Sequence, residues 1–410
     1  MNRLSGVTNF MGLQGYWIFF VLMWFLGISY TGIEDSNFYL YYWVIVSILT
    51  IVQIISQIFI KQKVTYSLLI SVFIIFIIII LFLSSGTIHT TYFNRFIGMS
   101  APAIMLGANC AYRKLENKCM SYIEYLIVFS LIPFIFVLRD MLQSTGRVRF
   151  VLETGGNAMN AGYSATVFFV YIIMLNFTNS SKFNSSKLNF IQKFIRSKKV
   201  ANIILLLLFI VIVATGSRGP IVALFLATIL LMFINKSKIS KSNLKLAILM
   251  LLFLFILIYF ARNNPYESLD FAFMRINKLI DGVLGGGLDT ASAGRDYLYN
   301  RAIQLFKENP LYGGGFNSFI KLNGIYTHNL ILDVATNYGL IGLIIWISIV
   351  TYIFGGIVKR IRTEKNISPF FAVFTVEIIK LMFSSTYIVS YVFWFFIGYG
   401  ISCRFDNKIS

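Results

Sequence analysis

Charge is what this 410-residue sequence has least of: Asp, Glu, Lys and Arg together make up 12% of it. Soluble domains carry about 25% charged residues. Half that density cannot clothe the surface of a globule this size, so a soluble fold is excluded. Cysteine is scarce too. Cys110, Cys119 and Cys403 show no C-x-x-C or other ligand spacing, which excludes a disulfide framework. Histidine occurs twice, as His89 and His328, so no histidine cluster can hold a metal. Glycine, at 29 residues, is near average, and the chain is neither collagen-like nor of low complexity. No cleavable signal peptide is expected, because the first apolar stretch runs into Glu34 and Asp35 rather than small residues.

What is present is apolar: 58% hydrophobic residues and a mean hydropathy of +0.77. A bilayer-crossing helix needs about 20 mostly apolar residues. Apolar runs at 14–30, 38–60, 64–83, 93–112, 121–138, 157–177, 200–214, 219–235, 244–260, 328–358, 369–385 and 387–402 predict about twelve transmembrane helices. The expected fold class is therefore an all-α polytopic membrane protein, with residues 1–410 forming a single integral membrane domain. The run 328–358 is too long for one straight span, and Gly339 and Gly342 offer places to bend it.

The basic residues orient this map. Membrane proteins concentrate Lys and Arg on the cytoplasmic side. With a cytoplasmic N-terminus, the inner segments hold Arg3; Lys61 and Lys63; Arg113, Lys114 and Lys118; the bases between Lys182 and Lys199; Lys236 to Lys245; Lys359 to Lys365; and Arg404 and Lys408. The short outer loops are sparse in bases by contrast. Both termini are thus expected inside a bacterial inner (cytoplasmic) membrane. The formal charge of +19 reads as this bias and not as a sign of nucleic acid. Residues 261–327 break the pattern of short outer loops and form a long external loop, the kind of segment that carries function. Within it an amphipathic helix is predicted from Arg295 to Asn309, stopped by Pro310, with Arg295, Leu298, Ala302 and Leu305 on one face.

Few ionisable groups remain for chemistry on the outer face. Arg218 follows the turn Thr215-Gly216-Ser217 at the outward end of a span. Ser217 as cap, Pro220 in the first turn, free N–H groups and the guanidinium would make an anion site; the plainer reading is an arginine snorkelling at a helix end. Arg295 opens the loop helix, where a cation is unfavourable unless an anion is near. That anion is either Asp296 or a bound phosphate, and two arginine forks suit a pyrophosphate. His328 also opens an outward-facing helix, which favours the neutral ring that a general base requires; a structural hydrogen bond is the alternative. Gly313-Gly314-Gly315 permits close backbone approach to a ligand, although such runs are common in turns. Arg147 and Arg149, followed by Gly155-Gly156-Asn157, could extend an anionic or sugar-binding surface or be a solvated loop. In the apolar runs Asp333 stands out, as do Glu377 and Lys380, which at i, i+3 are expected to pair.

These clusters, in this order, resemble the O-antigen polymerase and O-antigen ligase superfamily of bacterial membrane glycosyltransferases. The matching pieces are Ala214-Thr215-Gly216-Ser217-Arg218-Gly219; Gly294-Arg295; Glu308-Asn309-Pro310-Leu311-Tyr312-Gly313-Gly314-Gly315-Phe316; and His328-Asn329, nine residues, Gly339, two residues, Gly342. The resemblance implies a C-type glycosyltransferase-like fold with a periplasmic active site. It implies an inverting, metal-independent transfer of an undecaprenyl-pyrophosphate-linked oligosaccharide to a sugar hydroxyl, in lipopolysaccharide or related polysaccharide biosynthesis, without cofactors. Arg218 and Arg295 correspond to the arginines that hold the pyrophosphate, and His328 to the loop-end histidine. Ser217, Arg147, Arg149, Gly314, Gly315 and Asn329 are the expected substrate-binding residues. The expected partners are the lipid-linked glycan, the bilayer and a chain-length regulator. The run from Glu308 to Gly315 points to a polymerase, whose acceptor is another lipid-linked repeat unit. A ligase acting on lipid A–core is the alternative, followed by a protein O-glycosyltransferase. A secondary transporter is the rival from another class, but the halves show no internal similarity.

Overall fold

The computed structural model describes residues 65–85, 90–143, 158–177, 189–234, 270–282 and 295–406, with isolated positions at 48, 51, 252, 255–256, 258–259 and 262–263. No strand occurs among them. The helices are α1 (Tyr66–Ser84), α2 (Thr90–Arg95), α3 (Ala101–Tyr112), α4 (Glu116–Gln143), α5 (Ala158–Phe177), α6 (Phe190–Arg196), α7 (Lys198–Ala214) and α8 (Arg218–Ile234). They are followed by α9 (Asp270–Asp281), α10 (Asp296–Glu308), α11 (Ser318–Asn323), α12 (Leu330–Thr363), α13 (Ala372–Leu381) and α14 (Tyr391–Phe405).

The expectation of about twelve transmembrane helices is corrected. Among the described residues four helical stretches are long and apolar enough to cross a bilayer: Tyr66–Ser84, Glu116–Arg139, Met159–Asn176 and Leu330–Thr363. A fifth joins them if α6 and α7, bent by 75° at Ser197, count as one span. Apolar composition overcounted because it is blind to where a helix stops. The run 93–112 is divided by a π-helical turn, Phe96–Ser100, into α2 and the 12-residue α3. The runs 369–385 and 387–402 fold as 3-10 turns, Lys365–Phe371 and Tyr387–Val389, leading into α13 with 10 residues and α14 with 15. At 1.5 Å per residue, ten residues reach about 15 Å, half of a ~30 Å hydrocarbon core. The runs 14–30, 38–60 and most of 244–260 lie outside the described residues.

The short helices form the centre of the molecule. In α14 every residue from Val392 to Ser402 is buried, and it packs most closely on α3. Glycine makes that approach possible: a Cβ on Gly398 would meet the Ile104 carbonyl, and one on Gly107 the Phe395 carbonyl. Phe370, Phe371, Phe374, Phe396 and Tyr399 fill the space towards α13 with edge-on and tilted rings. Helix α5 is the second buried strut, against α7, α8 and α13. At one end of the bundle Glu116 is buried and takes two guanidinium hydrogen bonds from Arg360, at 3.2 and 3.1 Å, and the Tyr399 hydroxyl at 2.5 Å. This joins the start of α4, the last turn of α12 and the middle of α14. By contrast, α1 and the middle of α12 expose Phe73, Phe76, Leu83, Ile344 and Ile345, as surfaces that face lipid do.

Candidate active site

The site is built on the start of α12. Asn329 caps that helix, its side-chain oxygen accepting from the N–H groups of Ile331 (3.0 Å) and Leu332 (3.1 Å). The preceding chain is tied down by Thr327, whose hydroxyl and backbone N–H both donate to one oxygen of the buried Asp333, at 2.8 and 3.3 Å. Between these anchors His328 is held at φ +59°, a left-handed conformation uncommon for residues other than glycine. Asp333, which the sequence marks as unusual, serves as an anchor of this loop.

The anchored loop half-buries the imidazole beside Tyr326, with ring centroids 4.3 Å apart. One ring N–H donates to the backbone of Ser384. Nδ1 is buried and meets no partner among the described residues. Burial first, and then the positive charge of Arg295, lower the His328 pKa to about 4 against the opposing effect of the Ser384 bond. The ring is therefore neutral at pH 7, with an acceptor to spare. The sequence suggested the same state from the helix dipole; burial and Arg295 are the causes found.

Arg218 is the first residue of α8, after the buried turn in which the Ser217 hydroxyl donates to the Thr215 carbonyl (3.4 Å). Its Nε donates to the carbonyl of Arg275 on α9 (3.0 Å), which fixes the guanidinium at the free N–H end of α8. Arg295 directly precedes α10 and makes no ion pair with Asp296. Its charge is instead felt by His328, Tyr163 and Tyr299.

Tyr163, on α5, is the common neighbour of these groups. Its hydroxyl lies 2.8 Å from the Ser384 hydroxyl and against the backbone of Gly219, next to Arg218. Lys380 sits over its ring, 5.7 Å from the centroid. Lys380 pairs with Glu377 (3.4 Å), whose other oxygen accepts from Ser390 (2.6 Å). Thus the turn before α8, the start of α10, the start of α12 and the break after α13 converge. Glu377 and Lys380 are the expected pair. Tyr163 and Ser384 carry no sequence signal, being an ordinary tyrosine and serine in apolar runs; only the packing of α5 against α13 gives them a place.

Other expected site residues lie elsewhere or are already engaged. Gly314 and Gly315 donate their N–H groups to the carbonyls of Thr336 (2.8 Å) and Asn337 (3.0 Å), about two turns along α12 from Asn329. The side-chain nitrogen of Asn329 donates to the Met382 carbonyl (3.3 Å). Arg147 and Arg149 lie outside the described residues, as does Gly294. No group of three or more His, Cys, Asp or Glu that could hold a metal ion occurs among the described residues.

A site with two guanidiniums, a helix N-terminus and a half-buried neutral imidazole attracts an anion and can accept a proton beside it. Residues 203–347, from within α7 to the middle of α12, match the O-antigen ligase family. The matched stretch contains Arg218, Arg295 and His328. No curated protein and no solved structure matches the chain.

Proposed function

We propose that this chain, which carries an O-antigen ligase domain, is a membrane enzyme that transfers a glycan from a polyprenyl-pyrophosphate carrier to a sugar hydroxyl. One observation carries the reading: the neutral His328, whose Nδ1 has no hydrogen-bond partner among the described residues, lies close enough to Arg295 to feel its charge and is linked through Ser384 and Tyr163 to the turn of Arg218. The bond between the anomeric carbon and the phosphate oxygen breaks, and negative charge builds on the departing pyrophosphate. Two guanidiniums positioned for that charge stabilise it more in the transition state than in the bound donor. The acceptor hydroxyl forms the new glycosidic bond on the opposite face of the sugar, inverting the anomeric centre, and gives its proton to His328. The guanidiniums supply the charge compensation, so the reading assigns no step to a metal ion.

The ligase reading is preferred to the polymerase expected from the sequence. That expectation leaned on the run from Glu308 to Gly315 and its compact link to His328, and in that run the N–H groups of Gly314 and Gly315 are occupied in bonding to α12. They express no preference for an acceptor. The family matched is O-antigen ligase, which favours lipid A–core as the acceptor over a second lipid-linked repeat unit. The lysine and arginine distribution supports an outward-facing site in the inner membrane.

Deletion in the native strain, read on a polysaccharide gel, tests this. A bare core with accumulated lipid-linked polymer is expected, restored by the wild-type gene and not by Arg218→Ala. Core carrying a single repeat unit would make the protein a polymerase. An unchanged ladder would end the proposal.

A further inference from the structure

We propose that Tyr163 and Ser384 are positioning residues that fix the tautomer of His328 and tie the imidazole to the Arg218 turn. The inference rests on the reading of His328 as the proton acceptor and adds which nitrogen accepts and what holds it there.

A neutral imidazole has one N–H and one lone pair. Ser384 presents a backbone carbonyl to the ring, and a carbonyl can only accept. The ring proton must therefore sit on the nitrogen that faces Ser384, which leaves the lone pair on Nδ1. Nδ1 is buried without a partner among the described residues, a costly state for an acceptor and one that an incoming hydroxyl relieves. The position of the Ser384 carbonyl thus decides which nitrogen is basic.

That carbonyl belongs to a break between helices, not to a rigid element. Ser384 follows the end of α13, its N–H bonded to the Lys380 carbonyl at 2.8 Å. Its side chain gives the break a second attachment, through the 2.8 Å contact with the Tyr163 hydroxyl. Both residues are buried, at 5% and 4% exposure, so water cannot take the place of either partner. Tyr163 is itself confined. Lys380 lies over one face of its ring, and a Cβ on Gly219 would fall on its hydroxyl. Gly219 adjoins Arg218, so the same tyrosine that steadies the histidine's partner rests on the turn that aims the guanidinium. The pair sets base and anion site in register.

With only two histidines in the chain, His89→Gln leaves His328 as the sole imidazole, and nitrogen-15 histidine labelling reports its tautomer directly in membranes. At pH 7 a single neutral form is expected, with Nε2 protonated and Nδ1 bare. Tyr163→Phe and Ser384→Ala should each give a mixture of tautomers. Each should lower kcat by about 10- to 100-fold, the scale of a small misplacement of a reacting group, with KM for donor unchanged. Gly219→Ala should act like Tyr163→Phe, and the double variant should be no worse than either alone. A wild-type ring protonated on Nδ1 overturns the proposal without any variant having to fold. So does a single, unchanged tautomer in both Tyr163→Phe and Ser384→Ala. If the tautomers behave as stated while His328→Ala keeps full turnover, the reading of His328 as base fails and the positioning assignment stands.

Discussion

His328 carries two costs at once, a left-handed backbone and a buried Nδ1 without a partner among the described residues, and the second leaves the lone pair that a proton acceptor requires. The pH dependence follows. A base works in its neutral form, and the pKa of His328 lies at about 4, below the ordinary 6.5. In kcat/KM, which reports the free enzyme, the acid limb should therefore fall near pH 4–5, with a flat profile from about pH 6 to 8. Bound pyrophosphate adds negative charge and raises the pKa, so the limb in kcat should lie at higher pH than that in kcat/KM. His328→Ala should abolish the limb and cost about 100- to 10,000-fold in rate. A kcat/KM limb centred at 6.5 would mean a solvated ring and remove the basis for the assignment.

The helix that carries His328 is spliced. Gly339 stands at φ +65° and ψ −166° within α12, which breaks the i to i−4 bonds from Leu340 to Thr336 and from Ile341 to Asn337. The segment after Pro310 replaces them: the Pro310 and Leu311 carbonyls accept from Leu340 (2.8 Å) and Ile341 (3.2 Å), while Gly314 and Gly315 donate to Thr336 and Asn337. A Cβ on Gly339 would meet the Leu311 carbonyl, whereas one on Gly315 would meet nothing within 4 Å. Two glycines with positive φ should therefore differ. Gly315→Ala should cost roughly 1–2 kcal/mol, for the backbone alone. Gly339→Ala should cost more, because the splice must open, and should also lower activity by loosening the chain that leads to His328. Thermal unfolding in detergent compares them, and equal losses would refute the splice as the cause. The sequence showed Gly313-Gly314-Gly315 and the paired Gly339 and Gly342, but not that the segment from Pro310 to Gly315 bonds to the helix on either side of Gly339. A repeating apolar pattern records which face of a helix is buried. It does not record where a helix is opened to admit another segment.

At the scale of the whole chain, legibility followed element length. The runs 64–83 and 157–177 lie within two residues of α1 and α5, because each is one uninterrupted apolar helix. The runs after 369 misled because Pro369, the break at 382–386 and the 3-10 turns leave composition unchanged while cutting the helices short. Arg218, Arg295 and His328, the residues of the proposed site, stand out in the sequence because charge and histidine are rare here. Tyr163 and Ser384 do not stand out, since the positions proposed for them arise only through contacts between α5, α8 and α13. Sidedness is the property on which the external placement of the site depends, and it rests on the lysine and arginine pattern. Two exposed positions test it: Asn300 on α10, in the predicted outer loop, and Thr363 at the basic end of α12. Cys110 and Cys119 are buried and Cys403 is half-buried, so replacing Cys403 with Ser gives a quiet background. In intact spheroplasts, Asn300→Cys should react with a membrane-impermeant maleimide, and Thr363→Cys should react only after permeabilisation. The opposite pattern would turn the arginines and His328 towards the cytoplasm, where a carrier-linked glycan already moved to the outer leaflet is out of reach, and the transfer reaction would have to be abandoned with the topology.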